Sequence, residues 1–257
     1  MSAAAHVFEY NARVYRRIWR GTLFLTFLAP MLFLGSMGFG LGSFVDASGA
    51  GAQMGGLPYA VFLAPGLLAA QAMQTAGFES TYPIMGRIVW DKTYHAMLAT
   101  PIRTADIVFG QLGWIAARLA LVTGVFFAVM VLFGLVIAPT GILAWPAAVL
   151  TGMAFACPIV AFTTTQRNDD GFNFIFRFII TPLFLFSGTF FPVDELPRAI
   201  QWIAWLTPTF HGVELTRGAT TGTLDPATSL IHVAALLVYI VAGTVAALFL
   251  IRRALVK

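Results

Sequence analysis

The sequence predicts an all-α polytopic membrane protein with six transmembrane helices, and three observations predict it. Hydrophobic residues make up 59% of the 257-residue chain and charged residues only 10%, against roughly 25% charged in an ordinary soluble domain. Apolar stretches of membrane-spanning length recur at residues 21–45, 59–80, 107–138, 142–163, 172–191 and 230–251. Lys and Arg then fall in alternate gaps between them. A bilayer offers backbone amides no water, so a crossing segment must be helical, and about 20 apolar residues suffice.

Residues 1–20 come first. Val7, Phe8, Val14, Tyr15, Ile18 and Trp19 recur at helical spacing while Glu9, Arg13, Arg16, Arg17 and Arg20 take the other face. This predicts a separate amphipathic helix lying in the membrane interface. The run at 21–45 is longer than the ~7–15 residues of a secretory apolar core, so it reads as a span. In it, Gly38 and Gly42 offer a close-packing face for a second protomer. Residues 46–58 are Gly-rich, lack Lys and Arg, and read as a loop.

In the second span Pro65 and Gly66 loosen the helix, and Gln71 and Gln74 put amides on adjacent turns of one face. They are candidates for interhelical hydrogen bonds or for lining a translocation path. The gap at 81–106 carries Trp90, Tyr94, Met97, Leu98 and Pro101 on one helical face with Asp91, Lys92 and His95 opposite, bracketed by Pro83 and Pro101. Periodicity alone fits a helix docking a soluble partner and a bare interfacial helix equally well. Arg118, at the start of the apolar part of the third span, and Arg177, early in the fifth, are expected to snorkel to the interface. Cys157, the single cysteine, excludes an internal disulfide. After residue 191 the apolar periodicity becomes too short to span, predicting two short helices, 196–206 and 209–220, divided by Pro208 and dipping into the outer leaflet.

Arg13, Arg16, Arg17, Arg20, Arg87, Lys92, Arg103, Arg167, Arg177, Arg252, Arg253 and Lys257 fall on one side, and only Arg198 and Arg217 on the other. The positive-inside rule therefore predicts cytoplasmic termini in a multi-pass cell-membrane protein. Topology and anionic lipid account for the basic balance with no nucleic acid.

The chain has no G-x-x-x-x-G-K-[ST] loop, no H-E-x-x-H and no G-x-S-x-G, and it has only two lysines, Lys92 and Lys257. This excludes the common ATPase, zinc-protease and serine-hydrolase chemistries. His6, His95, His211 and His232 are dispersed, so no metal or cofactor is expected in this chain. An ion-coupled secondary transporter is the competing class, but it requires ionisable residues near the midplane and an inverted repeat, and neither is visible.

The segment RIVWDKTYHAMLATPIRTADIVFGQ at 87–111 resembles ABC-2 type permeases, with Asp91, Lys92, Leu98, Thr100, Pro101, Asp106, Gly110 and Gln111 in the family's pattern. FLAPGLLA at 62–69, FESTY at 78–82 and LTPTFHGVELTRG at 206–218 agree in order and spacing. The look is that of membrane subunits of nodulation-factor (lipo-oligosaccharide) and antibiotic-resistance exporters. The resemblance implies a permease that pairs with a second protomer, identical or a sister chain, and docks two ATP-binding subunits, which hold the ATP and Mg. Their motion would pass through a coupling helix containing Trp90, Asp91, Lys92, Tyr94, His95, Leu98 and Thr100, anchored by Glu79 through Arg87 or Lys92. Pro208, Glu214 and Arg217 would belong to the family's outer-leaflet helix pair. His95 stands where the family has an acidic residue, and Thr207-Pro208 where it has Asn-Pro. The implied function is ATP-driven export of a drug, lipid or glycolipid-like cargo by alternating access.

Overall fold

The computed structural model describes residues 3–49, 54 and 56–256, and every regular element among them is helical. Most of the Gly-rich loop expected at 46–58 lies outside the described residues.

Helix α1 runs over Ala3–Phe33 and continues through a π-helical stretch, Leu34–Leu41, into Gly42–Ala47. The expected division between an interfacial helix and a first span is therefore absent, because Gly21 has open space around it and the helix passes straight through. At ~1.5 Å per residue α1 is roughly 65 Å long, about twice a ~30 Å hydrocarbon core. Its first turns do not float at an interface. Val7 is 1% exposed and sits where a side chain on Gly110 would come within 2.6 Å of its Cβ.

Helix α2 covers Tyr59–Ser80, kinks at Thr81 and resumes as Tyr82–Met85 and a π turn, Gly86–Trp90. The short α3 is Thr93–Leu98 and α4 is Thr104–Leu132, six residues shorter at its end than expected because Gly134 turns the chain with φ +69°. A 3₁₀ turn, Pro139–Leu143, leads into α5, Ala144–Thr163. Helix α6 comprises Asp170–Phe174, a π stretch Ile175–Ile180 and Thr181–Phe186. Then come α7, Arg198–Trp205, α8, Pro208–Thr221, and α9, Pro226–Leu255.

Among the described residues four helices are long and apolar enough to cross a membrane: α2, α4, α5 with its leading turn, and α9. The first and fifth expected spans fall short of that measure. In α1 the described apolar part, Met31–Ala47, counts only as a shorter apolar helix, and α6 ends at Phe186, where a left-handed turn at Gly188 (φ +84°) breaks it before the expected boundary.

The core lies between α2, α4, α5, α8 and α9. A close backbone approach joins α9 to α5, where a side chain on Gly243 would meet the Pro158 nitrogen at 2.5 Å. Proline carries no amide hydrogen at that point, so backbone meets backbone. Gly38 and Gly42, expected to face a second protomer, instead pack within the chain on Ala60 and Tyr59 of α2. Their small size is used to bring α1 against α2.

Candidate coupling and translocation site

Three helices and a loop helix meet at Gln111, one turn into the body of α4. Its Oε1 accepts hydrogen bonds from Asn11 Nδ2 of α1 at 3.2 Å and from the Tyr94 hydroxyl of α3 at 3.2 Å. Arg87, in the π turn ending α2, donates to the same oxygen, and its guanidinium lies 5.9 Å from the Tyr10 ring. Asn11, Tyr94 and Gln111 are all buried. An amide oxygen is the right acceptor here, since it neutralises no charge yet takes donors from several directions. Helix α3 is thereby tied to α1, α2 and α4 through one atom. Asn11 and the role of Gln111 were missed in the sequence: Asn11 is a lone polar residue on an otherwise apolar stripe, the only signal available.

The chain between α2 and α3 turns at Lys92, whose φ of +52° is the one positive value among described non-glycine residues. Such a backbone costs energy and is held by its surroundings. It swings Asp91, Lys92, His95 and Thr100 outward, with Trp90 57% exposed. Tyr94 faces the other way, being 1% exposed, so its expected place on the docking face is corrected: its hydroxyl needs Gln111. Leu98 is half-buried.

Two helical turns deeper, Arg118 Nε of α4 donates to Glu79 Oε1 of α2 at 3.0 Å, with side chains 10% and 19% exposed. Tyr15 of α1 lies against the guanidinium, 4.3 Å from ring centre to Cζ. Both earlier expectations are corrected by this pair. Glu79 binds neither Arg87 nor Lys92, and Arg118 does not snorkel, because α1 covers the route to the interface.

Gln71, Gln74, Thr75 and Phe78 follow on one incompletely buried face of α2. Gln71 donates to Thr75 Oγ1 within its own helix at 3.4 Å, so it joins no second helix. Phe78 stacks on Phe176 of α6 with ring centres 4.7 Å apart, placing this polar stripe beside α6.

At the opposite end α8 descends into the bundle. Thr216 Oγ1 donates to the Pro65 carbonyl at 2.9 Å and Thr209 Oγ1 contacts Met73 Sδ, two turns further along α2, at 3.2 Å. Pro208 opens this helix as its first residue. Arg217 donates to the carbonyls of Phe62 (3.3 Å) and Gly188 (2.6 Å), lies over the Phe62 ring at 3.8 Å and pairs with Glu214 at 3.5 Å. These contacts fix α8 to α2 and to the turn after α6, and they satisfy carbonyls that a membrane would leave without partners. His211 and His232, far apart in sequence, meet with Nδ1 atoms 2.8 Å apart.

No group of three or more His, Cys, Asp or Glu able to hold a metal occurs among the described residues. The arrangement is one of polar joints at both ends of an apolar bundle.

The sequence profile described as ABC-2 type transporter matches residues 6–220. The chain is 35% identical over 237 residues to Nodulation protein J of Rhizobium leguminosarum bv. trifolii, covering 89% of this chain and 84% of that one. It is 30% identical over 258 residues to Nodulation protein J of Neorhizobium galegae, covering 98% and 93%. Inner membrane transport permease YadH of Escherichia coli strain K12 is 25% identical over 199 residues, covering 76% and 73%.

Proposed function

From the premise that this chain belongs to the ABC-2 type transporter family and is a multi-pass membrane transport permease, we propose that it is the membrane subunit of an ATP-driven exporter. Its cargo is hydrophobic or amphipathic: a drug, lipid or glycolipid-like molecule. Two ATP-binding subunits dock on the outward face of α3, and a second permease protomer completes the path. The termini lie in the cytoplasm of a prokaryotic cell, as the basic residues at the α3 end require.

The observation that carries this reading is the Gln111 joint. A push on α3 reaches α1, α2 and α4 through Asn11, Arg87, Tyr94 and Gln111. A bare interfacial helix needs no such joint. The groups left free for a partner, Trp90, Lys92 and His95, stand on the exposed side. The stripe of Gln71, Gln74 and Thr75 beside α6 then offers the amides and hydroxyl along which an amphipathic cargo passes as access alternates.

The test is to replace Trp90, Lys92 and His95 singly with Glu in the assembled complex and to measure ATP hydrolysis and cargo efflux together. Loss of coupling, with ATP hydrolysis continuing and efflux falling at least tenfold while the permease inserts normally, is expected. Wild-type coupling in all three variants would remove α3 as the docking site.

A further inference from the structure

The corner between α7 and α8 lies on the outside of the bundle against α9, with Leu206 71% exposed. The Tyr239 hydroxyl, fourteen residues into α9, donates to the Leu206 carbonyl, so this turn lies against the middle of a spanning helix. Two contacts hold it there: that phenol, and the His211–His232 pair with its 2.8 Å Nδ1–Nδ1 separation and ring centres 5.1 Å apart. Phe210 packs edge-on against both rings, 5.6 and 5.8 Å away.

The same corner forms one end of an apolar groove of about 360 Å³. Phe155 and Ile159 of α5, Phe174 and Ile179 of α6, and Leu206 and Pro208 of the corner line it. The groove thus ends where the histidines clamp α8 to α9.

We propose that His211 and His232 form a proton-operated latch that holds the α7–α8 corner on α9 and closes that end of the groove. In the neutral pair one imidazole donates Nδ1–H to the lone pair on the other Nδ1. A first proton adds to the free Nε2 of the donor ring and leaves the hydrogen bond intact. A second proton has only the accepting Nδ1 left to occupy, which sets two N–H groups and two positive charges face to face. The rings must then part, and the corner loses one of its two ties to α9.

The charged groups around the pair are few. Glu214 of α8 faces His232, and the Trp205 carbonyl of α7 faces His211. Arg217 of α8 is engaged with Phe62, Gly188 and Glu214. Arg198 is the one charged residue of α7, α5 carries no charged residue and only the Cys157 thiol as a titratable group, and the charges of α9 are Arg252 and Arg253 at its far end. One carboxylate does not balance two imidazolium ions, so the doubly charged pair is driven apart.

The chain has four histidines, so ¹⁵N-histidine NMR of the full-length protein in nanodiscs resolves each one. Two coupled steps are expected for His211 and His232. In His211→Gln or His232→Gln the remaining ring should titrate in a single, uncoupled step. Electron-electron distance measurements between spin labels at Trp202→Cys and Val241→Cys, in a Cys157→Ala background, should lengthen with the second step and lose that pH dependence in His232→Gln. Independent titration of the two rings overturns the proposal, as does an unchanged α7–α9 distance across the second step. Neither measurement reads transport, so failure here leaves the export reading standing, and failure of export leaves the latch standing.

Discussion

Removing one member of the Glu79–Arg118 pair should damage the protein more than removing both. The two side chains are 19% and 10% exposed and their charged atoms are 3.0 Å apart. At an effective dielectric of ~20 their attraction is about 5.5 kcal/mol before desolvation is subtracted. Truncating one partner strands the other charge in a dry site, and such losses run at roughly 3–5 kcal/mol. We expect Glu79→Leu and Arg118→Met each to lower unfolding free energy by about 3 kcal/mol, near the bottom of that range because both groups keep some water. The double variant leaves no charge behind and keeps side-chain volume under Tyr15, so it should lie within about 1.5 kcal/mol of wild type. The coupling energy is then at least about 4.5 kcal/mol. Denaturant titrations of the purified protein in mild detergent, followed by tryptophan fluorescence, give all four corners of the cycle. A double variant whose loss equals the sum of the singles to within about 0.5 kcal/mol would show that the carboxylate and guanidinium do not hold one another, and would refute the reasoning.

Three further outcomes follow from the geometry. Gly243→Ala forces α9 away from the Pro158 backbone by close to 1 Å and should cost about 1–3 kcal/mol, whereas Gly21→Ala, with open space around it, should be neutral or stabilising; thermal unfolding compares them. Gln111→Leu leaves Arg87 and Asn11 without their shared acceptor and should lose roughly 2–4 kcal/mol, against about 1 kcal/mol for Tyr94→Phe, measured in the same way. Single cysteines at Arg198 and Thr223 in a Cys157→Ala background should react with an impermeant thiol reagent on intact cells; labelling only after lysis would reverse the orientation.

Much of the fold was legible because apolar run length and proline position are local properties. The short helices on either side of Pro208 and the break before α3 follow from residues within a few positions of each. What was illegible was long-range. The boundary placed between residues 20 and 21 rested on a change from charged to apolar composition, yet a helix backbone does not register that change when α4 supplies glycines at 110 and 113 to receive Val7 and Phe8. Glu79 was legible as an anchor but its partner was not, since Arg118 is 39 residues away and nothing in the spacing favours it over Arg87. Tyr94 was read as outward-facing from a helical period, and the left-handed Lys92 rotated the face. The histidines paired across 21 residues because α8 turns back into the bundle, a reversal no local pattern announces.

Because α1 is helical without a break from the Gln111 joint to Ala47, any rigid tilt about its contact with Gly110 would be magnified along its length. Between Val7 and Phe33 the arm is about 39 Å at ~1.5 Å per residue, so a tilt of about 10° at that contact carries Phe33 some ~7 Å sideways. The π-helical stretch beyond it, Leu34–Leu41, has one wider turn after another and three glycines at 35, 38 and 40, which makes it the natural flexure where that sweep is converted into motion against α2.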